Sequence, residues 1–124
     1  TPLWTASTTN PVIGNGTITG AWFAIGKLVF YRWRIVAGST TTFGTGAYSV
    51  NLNGLPGPVA NMRQLQTSLV YARGAASTAF YGLISGGTTV MPLYTTTALT
   101  AFTNATAAWA SGDTFEGSGM YLAA

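Results

Sequence analysis

Hydrophobic positions fall in short runs rich in Val, Ile, Thr, Tyr, Phe and Trp, broken at close intervals by Gly and Pro. That is the pattern of an all-β protein. The clearest pair is Thr17 to Ile25 and Leu28 to Val36, joined by Gly26-Lys27, which predicts a β-hairpin with a two-residue turn. In the second strand a period of two puts Val29, Tyr31, Trp33 and Ile35 on one face, and Leu28, Phe30, Arg32, Arg34 and Val36 on the other. The first face belongs to a core. The second sets two arginines among large apolar groups and is expected to be covered by another element or another chain, with Phe30, Arg32 and Arg34 as interface candidates.

Further strands are expected at Tyr48 to Leu52, Leu65 to Arg73, Thr78 to Ile84, Thr89 to Tyr94 and Phe115 to Leu122. Short strands at this spacing predict an all-β, jelly-roll-like antiparallel β-sandwich. Pro92 cannot donate to a sheet ladder, so its strand is expected at an edge or bulged. Val59 to Arg73 also fits a helical stripe through Val59, Met62, Leu65 and Leu69; its second half is assigned to strand. Thr95 to Ser111 is a long connection with Leu99, Phe102 and Trp109 as anchors, where β-branched threonines disfavour a helix. The whole chain, 1–124, reads as one domain, with residues 1–14 as an N-terminal extension or linker. Thr1-Pro2-Leu3-Trp4 has neither an initiator Met nor a signal-peptide pattern and reads as continuing a longer chain.

Composition sharpens the picture. Of 124 residues five are Lys or Arg, two are Asp or Glu, and there is no His or Cys. A soluble surface usually carries about a quarter to a third charged residues, so this one must be built from Thr, Ser, Asn and Gly. Such a surface is cheaply buried against neighbouring chains, because few charges need desolvating. An oligomer or a part of a larger assembly is expected. The net charge of +3 is spread over Lys27, Arg32, Arg34, Arg63 and Arg73 without the clustered patch that a phosphate backbone demands, so no nucleic acid is expected. Charges interrupt the most apolar stretch, Ala21 to Gly38, so no membrane insertion is expected either.

Catalytic chemistry has little to draw on. Without His or Cys there is no triad and no imidazole or thiolate metal site, and no cofactor is implied. Asp113 and Glu116 are the sole carboxylates. Asp113 follows Gly112 and reads as a turn cap, while Glu116 belongs to a strand. The chain is therefore read as non-enzymatic. Among the aromatic residues Trp22, Trp33, Phe30 and Tyr31 are assigned to packing. Trp109 and Asn104 in the long connection, with Trp4 near the start, are the candidates for a sugar-stacking, hydroxyl-reading site.

Several stretches together resemble a domain found at the C-termini of bacteriophage tail-fibre, minor-tail and related virion proteins. They are Trp4-Thr5-Ala6-Ser7-Thr8-Thr9-Asn10-Pro11 followed by Gly14-Asn15-Gly16-Thr17, the Ile25-Gly26-Lys27-Leu28-Val29 hairpin, Gly38-Ser39-Thr40-Thr41-Thr42-Phe43-Gly44, and Trp109-Ala110-Ser111-Gly112-Asp113-Thr114 leading to Gly119-Met120-Tyr121. The resemblance implies a homotrimeric β-sandwich displayed on the virion, where it contacts glycans of the bacterial cell surface. Two alternatives share these features: a structural head-fibre or decoration protein contacting other virion proteins, and a carbohydrate-binding accessory domain of a cell-wall-degrading enzyme. Similar domains often end with an acidic residue after the Tyr, where this chain has Leu122.

Overall fold

The computed structural model describes residues 1–59, 63–73, 76–95, 100–103 and 110–124. Eight strands form an all-β antiparallel sandwich: β1 (Leu3–Ala6), β2 (Thr17–Ile25), β3 (Leu28–Val36), β4 (Tyr48–Asn51), β5 (Arg63–Arg73), β6 (Ala76–Ser85), β7 (Val90–Thr95) and β8 (Thr114–Leu122). Neighbours follow the order β1-β4-β7-β6-β5-β8-β3-β2. One layer is β1-β4-β7. The other runs from β7 through β6, β5, β8 and β3 to β2.

The hairpin forms in the expected register, with Ile25 opposite Leu28 and Thr17 opposite Val36. Gly26 sits in the turn at φ +59°, a left-handed conformation that a residue with a Cβ adopts only under strain. Val29, Tyr31, Trp33 and Ile35 are all buried, as the period of two requires. Arg63 to Arg73 is strand throughout, with a register shift between Thr67 and Leu69. Residues 60–62, at the start of the stretch that also fitted a helix, lie outside the described residues.

β7 serves both layers, and Pro92 marks the handover. Its first half pairs with β4 (Ser49↔Pro92, Val50↔Met91) and its second half with β6 (Gly82↔Leu93, Tyr81↔Tyr94). Leu52 N–H donates to Thr89 O and Phe102 N–H to Leu93 O, so odd-numbered backbone groups face β4 and those of Pro92 face β6. The β6 ladder has ended there. Pro92 is thus neither on a terminal strand nor in a bulge; its missing donor falls where no partner is needed.

The core lies between the layers. Phe115 meets Trp33 (5.2 Å between ring centroids), Phe102 (5.1 Å) and Phe80 (6.2 Å), and Tyr48 joins through Phe102 and Trp4. The first residues are no loose extension. β1 pairs with β4 from Leu3↔Asn51 to Ala6↔Tyr48, and Trp4 is 5% exposed against Phe43 and Tyr48. Phe102 is fully buried and its carbonyl accepts from Tyr48 N–H, so it does anchor the long connection.

Candidate functional site

The registers of β2, β3 and β8 define the surface turned away from the core. Since Val29, Tyr31, Trp33 and Ile35 point inward, the alternate residues of β3 and their cross-strand partners share the outer face. Starting from the turn, its rows are Ile25–Leu28–Leu122, Phe23–Phe30–Met120, Ala21–Arg32–Ser118, Thr19–Arg34–Glu116 and Thr17–Val36–Thr114. The first two rows are entirely apolar. Below them the face turns polar.

Nothing in the described chain covers this face. Ile25 is 68% exposed, Phe23 58%, Met120 51% and Leu122 43%. Phe23 stacks on Phe30 at 4.9 Å with the rings 11° apart, forming a ridge with Met120. The next row is low, because Ala21 and Ser118 are small on either side of Arg32. The step between the rows leaves a groove of about 420 Å³ walled by Phe23, Phe30 and Met120, with Arg32 on its polar side. A second hollow of about 310 Å³, bordered by Thr19, Ala21, Arg32 and Arg34, lies beyond the Arg32 side. Contiguous exposed apolar surface of this kind makes the face the candidate interaction site.

β2 is also the terminal strand of its layer, and every residue from Thr19 to Ile25 is exposed. An open edge usually carries a charge, a proline or a bulge that discourages pairing; β2 has no charged residue and no Pro, and its register with β3 is unbroken. Trp22 differs from the expected packing role. Its register partner is the buried Tyr31, so its side chain lies on the core side of the strand, yet it is 46% exposed. Its cover is incomplete: Pro2 lies against the core side of β2 at Gly20, one inward position earlier, and a hollow of about 150 Å³ bordered by Pro2, Leu52 and Leu55 opens beside Trp22. Phe30, also assigned to packing, belongs to the outer face, only partly buried.

The two carboxylates have structural partners. Glu116 Oε1 lies 2.7 Å from Arg34 Nε, both side chains being about half exposed (48% and 50%). Asp113 is buried and its Oδ2 accepts from Ala110 N–H at 2.7 Å, closing the Gly112 turn. The two do not converge on a cleft. Arg32, between Ala21 and Ser118, has neither carboxylate as its register neighbour.

Buried phenols complete the electrostatics. Tyr31 is pushed well above the ordinary tyrosine range by burial, reinforced by nearby Tyr121. Burial also raises Tyr48 and Tyr121. Tyr48 Oη donates to Phe43 O at 2.7 Å and Tyr121 Oη to Pro56 O at 2.5 Å, so these groups act as neutral donors pinning loops to the core. Among the described residues there is no group of three potential metal ligands, and no helix long and apolar enough to cross a membrane.

Of the residues singled out from sequence, Phe30, Arg32 and Arg34 lie together on the outer face. Trp109 and Asn104 lie outside the described residues. Trp4 is placed in the core, where its covered ring offers no face to a sugar, a correction to its candidacy as a ligand-binding residue. Phe23, Ile25, Met120 and Leu122 were not singled out, although extending the period of two from β3 to β2 and β8 would have found them. Comparison with models of known families, with curated proteins and with solved structures yields no match.

Proposed function

We propose that this chain is a non-enzymatic module of a bacteriophage virion appendage, of tail-fibre type, that assembles as a homotrimer and attaches the particle to the bacterial cell surface, with glycans as ligands. One observation carries the assembly: the outer face of β2, β3 and β8 carries two apolar rows at the turn end of the hairpin, with four of their six side chains exposed and the other two partly so. Covering those rows releases water from apolar surface and desolvates few charges. The placement on a virion is supported by the ordered motifs running from Trp4 to Tyr121. Several linked copies would convert weak individual contacts into firm attachment through effective concentration.

Light scattering over a dilution series, paired with adsorption of the labelled protein to a panel of bacterial cells and purified surface glycans, tests the proposal. A trimer that persists on dilution and adsorbs to some of the cells is expected. A monomer at all concentrations overturns the assembly; a trimer that adsorbs to no cell or glycan overturns the attachment role, and its binding to purified virion proteins instead would indicate a structural one.

A further inference from the structure

We infer that the groove between the Phe23–Phe30–Met120 ridge and Arg32 is a socket for Trp22 of a neighbouring copy, so that the subunits join head to tail; the inference rests on the homotrimeric reading above. In a ring of three the contact is heterologous: two different patches of the chain meet. The groove must therefore receive something other than itself. Outside the outer face, the large apolar side chains most exposed among the described residues are Leu3, Val12, Val90 and Trp22, and only Trp22 is aromatic and stands on an open edge strand.

Geometry and chemistry both favour this occupant. Trp22 borders the groove of its own subunit, but its side chain leaves β2 on the side opposite to Phe23, so its ring cannot fill that groove, whereas a neighbour approaching edge-first can present it. The socket offers a stacked pair of phenyl rings, a thioether and a guanidinium, each of which gains from an indole face or edge. Charge points the same way. A second copy has no spare carboxylate for Arg32, because Glu116 is engaged by Arg34 and Asp113 by the Ala110 turn. A π-face is the complement that a copy can supply. Thr17 to Ile25 carries no charge, so the approaching edge brings no ion that must be stripped of water.

Complementation between broken halves tests the junction. Trp22→Ala removes the knob and Met120→Glu spoils the socket; each position is about half exposed, so both proteins should fold, as thermal melts will show. If Trp22→Ala does not fold, Trp22→Lys keeps a long aliphatic stem and takes its place. Light scattering should find each variant alone monomeric and their equimolar mixture dimeric, because one intact knob meets one intact socket. A wild-type trimer unaffected by Trp22 substitution overturns this inference and leaves the homotrimer standing. Two monomeric variants whose mixture stays monomeric overturn the head-to-tail arrangement. A monomeric wild type overturns the homotrimer itself.

Discussion

Phe23 and Phe30 stack across the β2–β3 hairpin, 4.9 Å apart and nearly parallel, on the face turned away from the core. Placing two phenyl rings there is costly for a monomer in water and useful for a chain that will be covered. Because the pair lies outside the core, Phe23→Ser should lower the stability of the isolated subunit by about 1 kcal/mol or less. In the Trp22→Ala background, expected to be monomeric and to leave the ridge open, it should nevertheless reduce binding of a hydrophobic surface dye markedly. Chemical denaturation and dye fluorescence on the same samples check both halves of this expectation.

Phe115 has the opposite role. It is fully buried and touches Trp33, Phe80 and Phe102, rings from three other parts of the chain. Phe115→Ala should cost about 3–5 kcal/mol, the loss of transfer free energy plus the cavity left behind. Denaturant titration of the variant measures it. A loss below about 1 kcal/mol would mean that the two layers do not close on this ring.

The Arg34–Glu116 pair is short but about half exposed on both sides. Glu116→Gln should therefore lower stability by less than about 1 kcal/mol, since water screens the attraction and two long side chains must be ordered to make it. Added salt should shrink even that difference. Melts of wild type and variant at low and high ionic strength provide the measurement.

Tyr31, Tyr48 and Tyr121 all have raised ionisation ranges because burial disfavours the phenolate. Above about pH 10 the unfolded chain releases these protons and the native one retains them. The unfolded state then binds fewer protons, and stability falls with rising pH. The contribution is fully present below about pH 10 and is lost on the alkaline side. Each phenol can contribute a slope of at most about 1.4 kcal/mol per pH unit. Tyr31→Phe should flatten the decline, because it removes one of the titrating phenols while giving up only a weak contact with Met91 Sδ at 3.6 Å. Stability curves from pH 8 to 12 for both proteins test the sign.

Gly44 holds φ +61°, and a Cβ there would strike the Thr9 carbonyl. The close approach lets Thr9 and Thr45 exchange backbone hydrogen bonds, N–H to O in both directions at 3.1 and 2.9 Å, which ties the segment before β2 to the segment before β4. Gly44→Ala should cost about 1–3 kcal/mol, combining backbone strain with that clash. A melting temperature equal to wild type would sink the argument.

Much of this was legible in the pattern of residues. The hairpin register, the inward face of β3 and the antiparallel sandwich follow from alternation, with a Gly placed where the turn needs a left-handed residue. Asp113 beside Gly112 was readable as a turn cap for the same local reason. β1 was not, since four residues containing one large ring do not define a period. The exposed row through Phe23 and Met120 was latent: it emerges once β2 and β8 are laid beside β3.

Local alternation determined which side of each strand every residue takes, because a strand can present only two. Only the tertiary structure decided which of those sides is covered. Trp22 and Tyr31 point the same way from neighbouring strands, yet one is half exposed and the other buried, because Tyr31 packs against Met91 and Tyr121 while Trp22 stands on the terminal strand beside an unfilled hollow. Likewise Trp4 is core and Phe30 is surface through the placement of layers that meet only in three dimensions. Burial depends on contacts between segments far apart in the chain, and no period within one strand encodes where its neighbour stops.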